Sequence, residues 1–300
     1  MEYQRRTNSS DLITRAYLDS LLVEMRHLDA VIPSTELQLF GKTFATPVMT
    51  GALSHLNKSW PDGMTEWARG AAQAGAVAWS GMGPREELER MVDTGASVIK
   101  IIKTYADRES IYDKIRHAES CGALAVGLDI DHAFNRRLGY DEIDGMAMYP
   151  LSQAELTDMV RSTKLPFVIK GVLSRQDARK CVEAGVKGMV VSHHNGRLEC
   201  AVPPLMILPE ILEEAAGQAE VFVDCSLESG MDVFKALALG ASAVSVGRPL
   251  LHRLKEKGAE GVKEEIERIT ADLRYSMAMT CSHDIRSIDR SVVRMGSFVC

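Results

Sequence analysis

Ionisable side chains collect where short apolar runs of this 300-residue chain end. Lys103 closes SVIKIIK, and Asp129 and Asp131 close ALAVGLDID. Lys170 sits inside PFVIKGV, and His193 and His194 follow GMVVS. Asp224, Cys225 and Ser226 close EVFVDCS, and Gly247 and Arg248 close AVSVGR. A histidine titrates near neutrality, so His194 is suited to taking a proton from a carbon or hydroxyl acid. Such a base needs a carboxylate to fix its tautomer, and Asp131 is a candidate. Arg197, three residues on, can grip a substrate carboxylate with two prongs. Lys170 lies in an apolar run, where an unpaired ammonium is costly. It therefore needs a salt bridge, an anionic ligand or a carbonyl substrate, and Schiff-base chemistry stays open. The plainer alternatives are a loop histidine pair and a lysine matched to a strand-end aspartate.

The elements that must carry these residues are legible as a rhythm. From about residue 45, eight β-rich apolar runs alternate with amphipathic helical stretches. The runs are continuously apolar, as parallel strands covered on both faces are. Gly75, Gly95, Gly122, Gly185 and Gly240 stand where helices should stop, and Ser152 and Ser174 where two should start. Eight such units predict a (β/α)8 TIM barrel over 46–300, with 1–45 as an N-terminal cap. A doubly wound open sheet shares the alternation, but no GxGxxG follows any run. In the cap, 10–29 reads as a helix and 35–44 as a hairpin, a piece suited to closing the barrel bottom. In a barrel, strand C-termini converge on the active site, and the last two loops commonly bind phosphate. That assigns DCSLESG and VGRP to a phosphate, with Arg248 to neutralise it. The long connection 131–151 falls on the same face.

Composition narrows the class. A net charge of -6 argues against a general nucleic-acid binder. No apolar run reaches the length of a membrane span, and the first residues lack a secretory apolar core. The expectation is a cytoplasmic enzyme acting on a small molecule. Six scattered cysteines form no CxxC and no four-ligand zinc spacing, so neither disulfides nor a metal are expected. Most should be small buried hydrophobes. Cys225 stays open between that and a thiol activated by a helix N-terminus.

Several of these segments resemble the FMN-dependent α-hydroxy-acid oxidase and dehydrogenase family. VIKGV is similar to its strand-five lysine motif, VSHHNGRLE to its active-site pattern, and DVFKALALGASAVSVGRP nearly matches its wording. TPVMTGAL, YADRESI and LAVGLDID extend the likeness over 34–289. The resemblance implies FMN as cofactor and oxidation of a 2-hydroxy acid to a 2-oxo acid. It implies His194 as base, Asp131 as its partner and Arg197 as carboxylate clamp, with Lys103 in the substrate shell. Lys170 would stand by the flavin ring. Asp224, Ser226, Gly247 and Arg248 would hold the ribityl chain and phosphate, with Ala52, Ser80 and Asp129 as further flavin contacts. A homo-oligomer, commonly a tetramer, is also implied. The chain departs from the pattern at Glu228, where an arginine is usual, at Ile101 and Lys103, where QLY is usual, and at Asp129. A divergent isomerase or lyase using Lys103, Asp129, Lys170 and His194, with or without FMN, is the alternative.

Overall fold

A computed structural model describes residues 9–137 and 139–296. Eight parallel strands carry the site: β1 (Val48–Thr50), β2 (Ala78–Ser80), β3 (Val98–Lys103) and β4 (Ala125–Asp129). They continue as β5 (Phe167–Val172), β6 (Gly188–Val191), β7 (Glu220–Val223) and β8 (Ala243–Val246). Their order in the sheet is 1-8-7-6-5-4-3-2. The seam between β1 and β2 is closed by single bonds. Thr50 N donates to Val77 O at 3.1 Å, and Trp79 N donates to Thr50 Oγ1 at 2.9 Å. The result is a nearly closed barrel ringed by helices, as the alternation predicts.

The local signals act as read. Ser152 and Glu155 form a capping box, Ser174 caps the next helix, and Gly185 ends it at φ 87°. Strand residues are almost all buried, because helices cover the outside and side chains fill the inside. Phe222 meets Trp79 edge-on at 5.9 Å within that filling.

The N-terminal segment differs from expectation. The helix α1 spans Ser9–Ser20 and stops there. Leu21–Val23 instead forms a strand paired antiparallel with Val293–Met295. The hairpin Leu37–Leu39/Lys42–Phe44 does lie at the barrel bottom, where Phe40 packs edge-on to Phe222 at 6.4 Å. Helix α1 lies at the other end, against the loops after β6, β7 and β8. Thr14 Oγ1 bonds His193 Nε2 at 2.8 Å, and Arg15 Nη1 donates to Ser226 O at 3.1 Å. Arg15 also pairs with Asp232 at 2.8 Å.

The cysteines also need correcting. Among the described residues Cys181 and Cys225 are buried, whereas Cys200 is exposed and Cys121 and Cys281 are half-buried; all are free. Cys200 and Cys281 occupy left-handed surface turns rather than packed elements. Cys300 lies outside the described residues.

Candidate active site

Strand register lays a row of charge across the barrel mouth. Lys103 on β3 is the register partner of Asp129 on β4, and Asp129 that of Lys170 on β5. Lys103 Nζ donates to Asp129 Oδ2 at 2.7 Å. Lys170 Nζ stands 3.9 Å from the same oxygen and 3.8 Å from Asp224 Oδ2. Burial opposes charge on Lys170, but Asp129 and Asp224 outweigh it and hold its pKa above the ordinary value. A lysine held protonated between two carboxylates lacks the lone pair a Schiff base needs, so this arrangement does not favour that reading. Asp129 is itself held ionised, well below the usual carboxylate range: burial resists this, and Lys170 and His194 overcome it.

His194 joins this row from the turn after β6. Its Nδ1 lies 2.9 Å from Asp131 Oδ1, 3.2 Å from Lys170 Nζ and 3.5 Å from Asp129 Oδ2. The turn holds His194 at φ 51°, and Ser192 Oγ accepts its backbone N–H at 3.0 Å. Asp131 reaches it because β5 bulges at Gly171. That glycine has φ 95°, and a Cβ there would meet Asp131 Oδ2 at 2.9 Å. With Nδ1 turned to the carboxylates, Nε2 is left for a substrate proton.

Burial and the Lys170 ammonium push the His194 pKa down, but bonds to Asp129 and Asp131 outweigh them and raise it. Only the neutral imidazole accepts a proton, so activity is lost as pH falls through this raised pKa. The acid limb of kcat/KM is therefore expected above about pH 6.5, the ordinary histidine value. Asp131→Asn should move that limb to lower pH. A limb that stays put in Asp131→Asn would contradict the pairing.

A cleft beside His194 is lined by Ala52, Lys170, Asp224, Cys225, Ser226, Gly247 and Arg248. All of these but Cys225 are residues assigned to the cofactor, from β1, β5, β7 and β8. Arg248 Nη2 donates to Ser226 Oγ at 3.3 Å, while its Nη1 pairs with Asp11 of α1 at 3.1 Å. Glu228 is exposed and does not line the cleft. Cys225 and Ser226 sit at φ 71° and 58°, a backbone that costs about 1–3 kcal/mol per non-glycine residue. The Cys225 thiol donates to Asp224 Oδ1 at 2.9 Å. Burial and that carboxylate push its pKa up, so it is a buried thiol and not an activated one.

Ser80, Lys103, Asp129 and Arg197, all assigned to the site, do not line this cleft. Ser80 is buried outside this cleft, where Lys100 Nζ donates to its Oγ at 3.2 Å. Lys103 and Asp129 are spent on each other and do not line the cleft. Arg197 does not present two prongs. Its Nη2 donates to Phe134 O at 2.8 Å and Asp141 Oδ2 at 3.0 Å, and its Nε to Asp131 O at 3.2 Å. Those partners come from the 131–151 connection, which folds back over the β6 turn. Asp131 and Arg197 also border a cavity of about 720 Å3 that includes Ile130, Leu156 and Ile169. That cavity lies outside the barrel wall, because strand alternation turns Ile169 outward where Lys170 points in.

His132 and Asp141 were not singled out by the sequence. His132 stacks edge-on to His194 at 4.6 Å, and its Nδ1 is 3.4 Å from Asp141 Oδ2. Burial and Lys103 lower its pKa to about 4, so it is neutral near pH 7. Position in the loop was their only signal.

A strand-end histidine, its carboxylate and a buried lysine at the mouth of a (β/α)8 barrel make a site suited to proton transfer. The chain belongs to the FMN-dependent dehydrogenase family, whose model matches residues 6–158 and 143–295. It is 30% identical to 4-hydroxymandelate oxidase of Amycolatopsis orientalis, over 97% of this chain and 91% of that protein. It is 27% identical to glycolate oxidase of Spinacia oleracea, over 90% of this chain and 82% of that one. Crystalline mandelate oxidase with (S)-2-phenylpropionate superposes with a TM-score of 0.87 at 30% identity, covering 97% and 91% of the two chains. No helix among the described residues is long and apolar enough to cross a membrane.

The donor set of the cleft fits FMN. Arg248, the Ser226 hydroxyl and the loop after β8 suit a phosphate, and the buried Lys170 ammonium suits an electron-rich ring. The cleft holds about 90 Å3, enough for a few waters.

Proposed function

We propose that this protein oxidises a small 2-hydroxy acid to the 2-oxo acid, with His194 as base. The observation that carries this is His194 Nδ1 at 2.9 Å from Asp131 beside the protonated Lys170, on the rim of the cleft. FMN, when bound, accepts the two electrons. Asp131 orients the imidazole and stabilises its charged form after the proton arrives. Lys103 neutralises Asp129, so that the second carboxylate does not overload the site with negative charge. Lys170 supplies the fixed positive charge, with Asp224 as its second counterion.

Arg197 is the residue for the substrate carboxylate, but its fork is held by Asp141 and Phe134. Substrate binding then includes an exchange, with the carboxylate taking the place of Asp141. The isomerase or lyase alternative is not favoured by the relatives, which are oxidases of 2-hydroxy acids by name. Purified protein should be yellow and release flavin on denaturation. Colourless protein that FMN cannot reconstitute would overturn the reading.

An oligomer and a cytoplasmic location belong to the same proposal. Leu28 and Ile32 are 89% and 83% exposed, which supports association through this N-terminal segment. Five free cysteines among the described residues support a reducing compartment.

A further inference from the structure

Glu89, His117 and Cys121 meet on the outer wall of the barrel, far from the strand ends. Glu89 lies on the helix Arg85–Asp93, and His117 on the helix Arg108–Ser120. Cys121 caps the second helix with helical dihedrals, φ -75° and ψ -10°, and its N–H closes onto His117 O at 2.9 Å. Residues four apart on a helix share a face, so the thiol and the imidazole point the same way. His117 Nε2 is 3.0 Å from Glu89 Oε1 and 3.2 Å from Cys121 Sγ. All three ligand atoms lie within 4.8 Å of one another. A tetrahedral zinc ion with bonds of about 2.0–2.3 Å sets neighbouring ligand atoms roughly 3.3–3.6 Å apart. The two separations from the imidazole, 3.0 and 3.2 Å, are within a few tenths of an ångström of that spacing. The imidazole is only 10% exposed, so its direction is fixed by packing.

The residue types matter as much as the distances. Thiolate, imidazole and carboxylate together suit a borderline ion such as Zn2+ or Co2+ and not Mg2+ or Ca2+. The other His and Asp cluster, at the mouth, is different. There Lys103 and Lys170 already occupy the cation positions around Asp129. No lysine pairs with Glu89, His117 or Cys121 among the contacts of the described residues. Asp93 is one helical turn beyond Glu89.

We propose that Glu89, His117 and Cys121 form a site for a zinc-type divalent cation that ties two neighbouring barrel helices together. Asp93 or water completes the tetrahedron. The spacing rule for zinc missed it because the ligands come from two helices, with Glu89 and His117 28 residues apart.

The test is Co2+ titration of the chelator-treated full-length protein. One equivalent should produce a thiolate-to-cobalt charge-transfer band and the intense visible bands of a tetrahedral ion, and Zn2+ should abolish both. Cys121→Ser should remove the charge-transfer band, and His117→Ala should weaken binding at least tenfold. Cys200→Ser, which alters an exposed thiol elsewhere, should leave the spectrum unchanged. Circular dichroism reports whether each variant is folded. Wild-type protein with no charge-transfer band would overturn the proposal, as would a band that survives Cys121→Ser or is lost in Cys200→Ser.

Discussion

His194→Ala is expected to lower kcat for 2-hydroxy-acid oxidation by about a hundred- to ten-thousand-fold, the usual worth of a positioned acid or base. The loss should fall on kcat more than on KM. The imidazole makes its strong contacts through Nδ1 to the protein, so Nε2 acts on the substrate only as the proton leaves. Flavin should stay bound, because Lys170, Ser226, Gly247 and Arg248 are untouched by the change. His194→Gln should behave in the same way. Rapid mixing with substrate, followed at the flavin absorption, measures the step directly. Loss of flavin from both variants would make His194 a structural residue of the cleft.

The second large effect is on stability. Lys170 is 5% exposed and stands between Asp129 and Asp224. Lys170→Met removes the cation and leaves both carboxylates behind. Breaking a buried pair by removing one partner costs about 3–5 kcal/mol, because an uncompensated charge stays in the interior. Asp129 keeps Lys103 at 2.7 Å, which places the expected cost near the lower end, about 3 kcal/mol. The pH dependence has a definite sign. In the wild type Asp129 is held below its unfolded value, so its contribution is present above about pH 3.9 and fades as pH falls through the depressed folded value. In Lys170→Met the Asp129 pKa rises toward the range that burial dictates. The deficit should therefore be full near pH 7 and shrink as pH falls toward about 4. Urea midpoints at matched slope measure it. Adding Asp129→Asn to Lys170→Met should restore part of the loss. A Lys170→Met variant as stable as the wild type at pH 7 would mean that the ammonium is not balancing buried charge.

The strands were legible because each is an unbroken apolar run, and the helices because Gly and Ser mark their ends. Register then did the rest: it set Lys103, Asp129 and Lys170 side by side, so residues picked at strand ends became one charged row. His194 and Asp131 lie beyond the strand ends and meet through the turn after β6 and the bulge at Gly171. What stayed hidden was decided by contacts distant in sequence. The helix read over 10–29 breaks at Ser20 because Leu21–Val23 finds a strand partner at Val293–Met295. Asp11 and Thr14 of α1 reach Arg248 and His193 across the top, which no local pattern announces. The grip of Asp141 on Arg197 depends on how the 131–151 connection folds back. Ser80 was drawn off by Lys100, a lysine inside an apolar run that attracted no notice beside Lys170. Glu228, where an arginine is usual, is exposed and outside the cleft lining.

Anaerobic reduction of the bound flavin tests 2-hydroxy-acid oxidation at His194 most directly. Yellow wild-type protein, mixed without oxygen with mandelate, glycolate and related 2-hydroxy acids, should bleach with at least one of them. One equivalent of the 2-oxo acid should form per flavin reduced, and His194→Ala should retain its colour under the same treatment. Bleaching that proceeds equally well in His194→Ala, or flavin that no 2-hydroxy acid reduces, would contradict it.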